Sequence, residues 1–145
     1  MRINPENEIS YRLRLAELYL EDAESAFERG DYRGAVASSQ LSVENAAKAI
    51  IANFRVPSWS HDPSHELREL QEALPEDVRA LADELADMAE ELAPEHGRAT
   101  YGEPTRGLTP WDIYDEGDAE RALRYARRAL VIARSVLRTL GVLEQ

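Results

Sequence analysis

Cysteine is absent from this 145-residue chain. A disulfide framework, a thiol nucleophile and a thiolate metal site are therefore excluded. Lysine is almost absent as well: of the 17 basic residues only Lys48 is a lysine, and the rest are arginines. No apolar run approaches the roughly 20 residues that span a bilayer, and the N-terminus lacks a basic-then-apolar leader. A cytoplasmic protein without membrane association is expected. The seven glycines are scattered, with no GxGxxG and no Walker-type loop, and HExxH and GxSxG are missing. Positive charge is also scarce, since 28 acidic residues leave a net charge of −11. That balance argues against a generic nucleic-acid binder, because phosphate recognition works by cations displacing counterions.

What is present is helical periodicity over nearly the whole length, with no run of period-two alternation. The size and the hydrophobic share of 43% suit one globular domain over residues 1–145. Asn4 and Pro5 read as cap and first residue of a helix. Ile9, Leu13, Ala16, Leu20, Ala23 and Phe27 then recur at spacings of four and three, the pattern of a bundle seam. Gly30 is the expected stop, and Asp31 the cap of a second helix running to about Phe54. In that helix Val36, Val43, Ile50 and Phe54 form the apolar stripe, flanked by the small residues Ser39 and Ala46. Asp62-Pro63 opens a short helix through about Leu74, and Pro75 opens another to about Pro94. Residues 94–117 gather most of the helix breakers and read as the longest loop. The last helix is expected from about Asp118 to Leu140, with an alanine- and leucine-rich face and arginines over much of the remainder.

Three side-chain groupings bear on chemistry. His61, Asp62 and His65 place two imidazoles and a carboxylate together, but proline interrupts them, and only the distant His96 offers a further imidazole. A capped helix start with ordinary histidines is the preferred reading, so no metal and no cofactor are expected. The last-helix arginines 121, 124, 127, 128, 134 and 138 form either a phosphate-attracting stripe or a solvated helix face, with the acidic segment 76–95 as a further destination within the bundle or across a dimer; net charge favours the structural reading. Glu44 and Lys48 lie four apart with the acid first, the favourable order for a helical ion pair. Both fall at the margin of the apolar stripe. They read as an edge ion pair or as a cation held at a groove margin.

The order of segments resembles the HEPN family: a helix ending in GDY (30–32), then SQLSVENAAKAI (39–50), SHELREL (64–70), Arg98-Ala99-Thr100-Tyr101, and a closing helix from EGDAERAL. The likeness covers nearly the whole chain, and its most specific part is VENAAKA followed by SHxL. It implies an all-α fold, an antiparallel up-and-down bundle of four or five helices that forms homodimers. Many members of the family act with a small nucleotidyltransferase, and nucleotide binding has been proposed for it. Others are metal-independent ribonucleases of toxin–antitoxin pairs, with Arg-x4–6-His at the start of a late helix. Here Arg98 and Tyr101 lie in the matching region, yet no histidine follows Arg98 at that spacing. Arg55 and His61 have the spacing but sit in the loop after the second helix.

The resemblance thus implies a homodimer serving as partner or regulatory subunit of a nucleotidyltransferase-like protein, with a nucleotide as candidate ligand. Arg98, Tyr101, Lys48 and His65 would line its cavity, with Glu44 orienting Lys48. The alternative is a metal-independent endoribonuclease acting on RNA through Arg98, or through Arg55 with His61. A purely structural interaction module is the third reading.

Overall fold

The structure is a computed structural model that describes residues 5–144. Four long helices build the bundle: α1 (Pro5–Glu28), α2 (Tyr32–Ile51), α4 (Arg79–Leu92) and α6 (Glu116–Thr139). Two short ones, α3 (Ser64–Glu69) and α5 (Glu95–Tyr101), complete it. Among the described residues there is no strand, only an isolated bridge between Glu103 and Leu108. None of the described helices is long and apolar enough to cross a membrane. The expected cap at Asn4 lies outside the described residues.

The α1–α2 hairpin forms where the sequence marks it. Gly30 takes φ +77°, open to glycine without steric cost. The Gly30 N–H returns to the Phe27 carbonyl at 3.1 Å and the Asp31 N–H to that of Ala26 at 2.8 Å, the paired bonds of a Schellman ending. The Asp31 carboxylate then accepts from the Gly34 N–H at 2.9 Å and starts α2. Ser42 donates to the Ala16 carbonyl at 2.7 Å, so the two helices are pinned by a buried hydrogen bond as well as by apolar contact.

α2 is the centre of the molecule and packs against α1, α3, α4, α5 and α6. From Ser42 to Ala52 every residue is buried, whichever way it faces. A helix enclosed on all sides has no polar margin. The stripe expected from periodicity is therefore only part of the buried surface of α2, and Gln40, Glu44, Asn45 and Lys48 are interior residues.

Several boundaries differ from expectation: α2 ends at Ile51 rather than about Phe54, and α3 at Glu69 rather than about Leu74, with a 3-10 turn (Gln71–Ala73) after it. After Pro75 the chain makes a 3-10 turn (Glu76–Val78) before α4 becomes regular. The segment 94–117 is not one long loop, since it contains α5. Pro94 precedes the first residue of that helix, where it initiates rather than breaks. Tertiary bonds hold the short helix in place, including one from Arg33 Nη1 to the Ala99 carbonyl at 2.6 Å. α6 begins slightly ahead of Asp118 because Asp115 and Asp118 form a reciprocal capping box around its first turn.

The arginines of α6 largely find carboxylates. Arg128 makes a two-pronged pair with Glu84 (2.6 and 2.9 Å), and Arg121 pairs with Glu91, both acids from α4. Arg134 and Arg127 reach Glu17 and Glu24 of α1 at 3.0 and 3.8 Å. The acidic segment 76–95 is thus one destination and α1 the other. Exposed pairs of this kind contribute only ~0–1 kcal/mol each.

Candidate functional site

Gln40, Glu44 and Lys48 recur every four residues and so share one face of α2. Two elements close over that face: the loop after α2, carrying His61, and the first turn of α5, carrying His96. Lys48 Nζ lies 3.1 Å from Glu44 Oε2, and both side chains are about 95% buried, with relative exposures of 4% and 6%. Glu44 Oε1 accepts from Gln40 Nε2 at 3.0 Å and faces His61 Nδ1 at 3.0 Å. Because a carboxylate only accepts, His61 donates through Nδ1.

His96 completes the network. Gln40 uses its amide N–H on Glu44, which leaves its Oε1 as acceptor for His96 Nδ1 at 3.2 Å. Neutral His96 therefore carries its proton on Nδ1 and keeps the Nε2 lone pair. The two imidazoles stack with centroids 3.6 Å apart and an interplanar angle of 19°. Burial, first, and then the facing His61 hold His96 below the usual histidine value, while Glu44 pulls the other way. The site opens to solvent at His61, whose side chain is about half exposed. Among the described residues, Glu44, His61 and His96 each bring one metal-ligating atom within 4.8 Å of the others. Asp62 and His65 do not belong to that set.

A second polar locus lies between α5 and α6. A cavity of about 240 Å³ is lined by Glu91, Glu95, Arg98, Tyr114, Asp118 and Arg121, among others. Arg98 is clasped by Glu95 and by Glu103 at 2.8 Å and lies 5.7 Å from the Tyr114 ring centroid. Bonds to Glu103 and then Glu95 raise its pKa further, so it is always a cation. The Tyr114 phenol is pushed up, first by burial and then by Glu95. Three carboxylates face two guanidiniums here, and each guanidinium already has an acidic partner.

The residues singled out in the sequence are therefore distributed rather than gathered. Lys48, Glu44 and His61 meet in the interior; Arg98 is in the second cavity, which Lys48, Tyr101 and His65 do not line. Lys48 is enclosed rather than set at a groove margin. The His65 side chain is 89% exposed and lies 3.4 Å from Glu69. Tyr101 is exposed. Arg55 donates to the Glu66 carbonyl at 3.3 Å and approaches Glu69 at 3.7 Å, whereas His61 turns to Glu44. Sequence reasoning missed Gln40, Glu95 and Tyr114. The four-residue spacing of Gln40, Glu44 and Lys48 could have indicated the first; no local pattern indicates that His96 joins them.

Acid should release part of this framework. Arg98 and Arg106 hold the Glu103 carboxyl below its ordinary value of 4.5, and Arg128 does the same for Glu84. In each case the unfolded chain binds more protons through the window, so stability rises with pH across it. The stabilisation is complete above about pH 4.5 and is lost as pH falls through the lower folded values. Thermal melts should show a Tm that drops steadily below that pH; an unchanged Tm well into that acid range would contradict the ion pairs.

The profile of the HEPN domain matches residues 9–136. The crystal structure of TT1696 from Thermus thermophilus is similar to this chain, with 25% identity and a TM-score of 0.71, covering 90% of this chain and 99% of that one. A search of the curated proteins finds no match. With most of its length matched by the family profile, and with the helical architecture in agreement, the chain belongs to the HEPN domain family.

Proposed function

We propose that the chain works as a HEPN-type homodimer serving as partner or regulatory subunit of a nucleotidyltransferase-like protein, without ribonuclease activity of its own. One observation carries this reading. Arg55 and His61, the only arginine–histidine pair with the ribonuclease spacing, are committed to different partners: Arg55 to α3, and His61 to Glu44. Arg98 has no histidine after it at that spacing and is neutralised by Glu95 and Glu103. The histidine that the ribonuclease pairing needs as general acid or base is committed to Glu44 in the first case and missing from the sequence in the second.

The surface supports the same reading. A net charge of −11 disfavours long RNA. Tyr101 and Trp111 are 74% and 72% exposed, the kind of aromatic side chain that anchors protein interfaces. The balance of carboxylates over guanidiniums in the α5–α6 cavity disfavours phosphate, so the reading leaves nucleotide handling to the partner.

Light scattering on the isolated chain should give about twice its 16.4 kDa mass. Co-expression with the nucleotidyltransferase encoded nearest to it should yield a complex that survives gel filtration, and total RNA should stay intact with the purified chain. A monomer that forms no complex overturns the proposal. RNA cutting that disappears in Arg55→Ala or Arg98→Ala replaces it with the ribonuclease reading.

A further inference from the structure

We propose that Glu44, His61 and His96 form a binding site for a divalent transition-metal ion of the zinc type, which clips the loop after α2 and the first turn of α5 onto α2. The donor set is two imidazoles and one carboxylate, each contributing an atom within 4.8 Å of the others. Imidazole and carboxylate together suit zinc, and three protein ligands leave a fourth position for water. Ligand atoms around a tetrahedral zinc at ~2.0–2.1 Å stand roughly 3.4 Å apart, so closure from separations of up to 4.8 Å needs a contraction of at most about 1.4 Å. His61 can make that movement because it sits on a loop and is half exposed.

The surrounding bonds are those a metal site requires. Ligating groups are normally held by further hydrogen bonds that fix their orientation and tautomer. Lys48 holds Glu44 Oε2 at 3.1 Å and leaves Oε1 turned toward His61 and Gln40. Gln40 accepts from His96 Nδ1 at 3.2 Å, which presents the Nε2 lone pair for coordination. The rings are stacked at a 19° interplanar angle, so their in-plane lone pairs do not yet converge; coordination requires His61 to turn out of the stack and to give up its Nδ1–H bond to Glu44. Lys48 already balances the charge of Glu44, so the bound ion adds uncompensated positive charge. This sets the affinity below that of an all-acid site and favours hydroxide or another anion in the fourth position.

The grouping differs from the His61–Asp62–His65 cluster visible in the sequence. His65 is on α3 beside Glu69, and its ring is exposed to solvent. It therefore serves as an internal control.

The full chain, stripped with EDTA, would be titrated with zinc alone by calorimetry, and with cobalt followed by visible absorption. The expected result is one ion per chain and a Tm raised by about 5 °C or more at saturation. His61→Ala and His96→Ala should each weaken binding at least about tenfold, and His65→Ala should leave it unchanged. Both His61 and His96 retain solvent-accessible surface, so these variants are expected to fold, and melting curves without metal check this. Absence of saturable binding overturns the site. Undiminished binding in either His61→Ala or His96→Ala overturns it as well, as does equal loss in His65→Ala.

Discussion

Replacing Lys48 by methionine is expected to destabilise the fold by about 3–5 kcal/mol, toward the lower end of that range. The substitution keeps length and volume but removes the cation that balances Glu44, leaving a carboxylate in a region where Lys48 and Glu44 are only 3% and 5% exposed. Breaking a buried pair by deleting one partner costs far more than the pair itself contributes, because the remaining charge has lost its water as well as its partner. Gln40 and His61 still bond to Glu44, which moderates the loss. Glu44→Gln combined with Lys48→Met removes both charges, so the double variant should be more stable than Lys48→Met alone. Urea unfolding at neutral pH gives the values, and the double-mutant cycle gives the coupling. A Lys48→Met variant within about 0.5 kcal/mol of wild type would mean that Lys48 reaches water.

Gly102→Ala is expected to cost at least about 2 kcal/mol. Gly102 adopts φ +70° and ψ −146°, a region closed to residues with a Cβ. The added methyl would also stand 2.3 Å from the Leu108 carbonyl oxygen and 2.8 Å from the Thr109 carbonyl carbon. Both are backbone atoms, so no side-chain rotation relieves the overlap. Residues 102–110 would have to move apart, opening the reciprocal bonds between Glu103 and Leu108 at 2.8 and 3.1 Å. Glu103 would then lose its hold on Arg98, and proteases should cut this segment more readily. Gly97 is the matched control. It lies within α5 with nothing within 4 Å of an added Cβ, so Gly97→Ala should be neutral or stabilising by up to about 1 kcal/mol. Equal behaviour of the two variants would contradict the conformation at Gly102.

Particular residues show where local reading worked and where it stopped. Gly30 and Asp31 mark the hairpin because a left-handed stop and a side-chain cap are properties of a few adjacent residues. The apolar face of α6 is legible because 24 residues give many turns over which a 3.6-residue period can build up. α5 was hidden in its loop because seven residues make barely two turns, too few for a period to register. Glu44 and Lys48 were paired correctly by their spacing and placed wrongly by their surroundings. Periodicity measures one apolar face, and α2 is covered on all of them.

By itself the sequence determined that the chain is helical, where its first two helices are joined, the family it belongs to, and that Glu44 and Lys48 are neighbours. Each of these follows from interactions within a few residues, or from a segment order that can be read linearly. Only the tertiary structure decided that Lys48 is buried, that Arg98 lies apart from it in a cavity of its own, and that His96 stacks on His61. Those outcomes depend on contacts between α2, the 55–63 loop and α5, for which helix spacing carries no information.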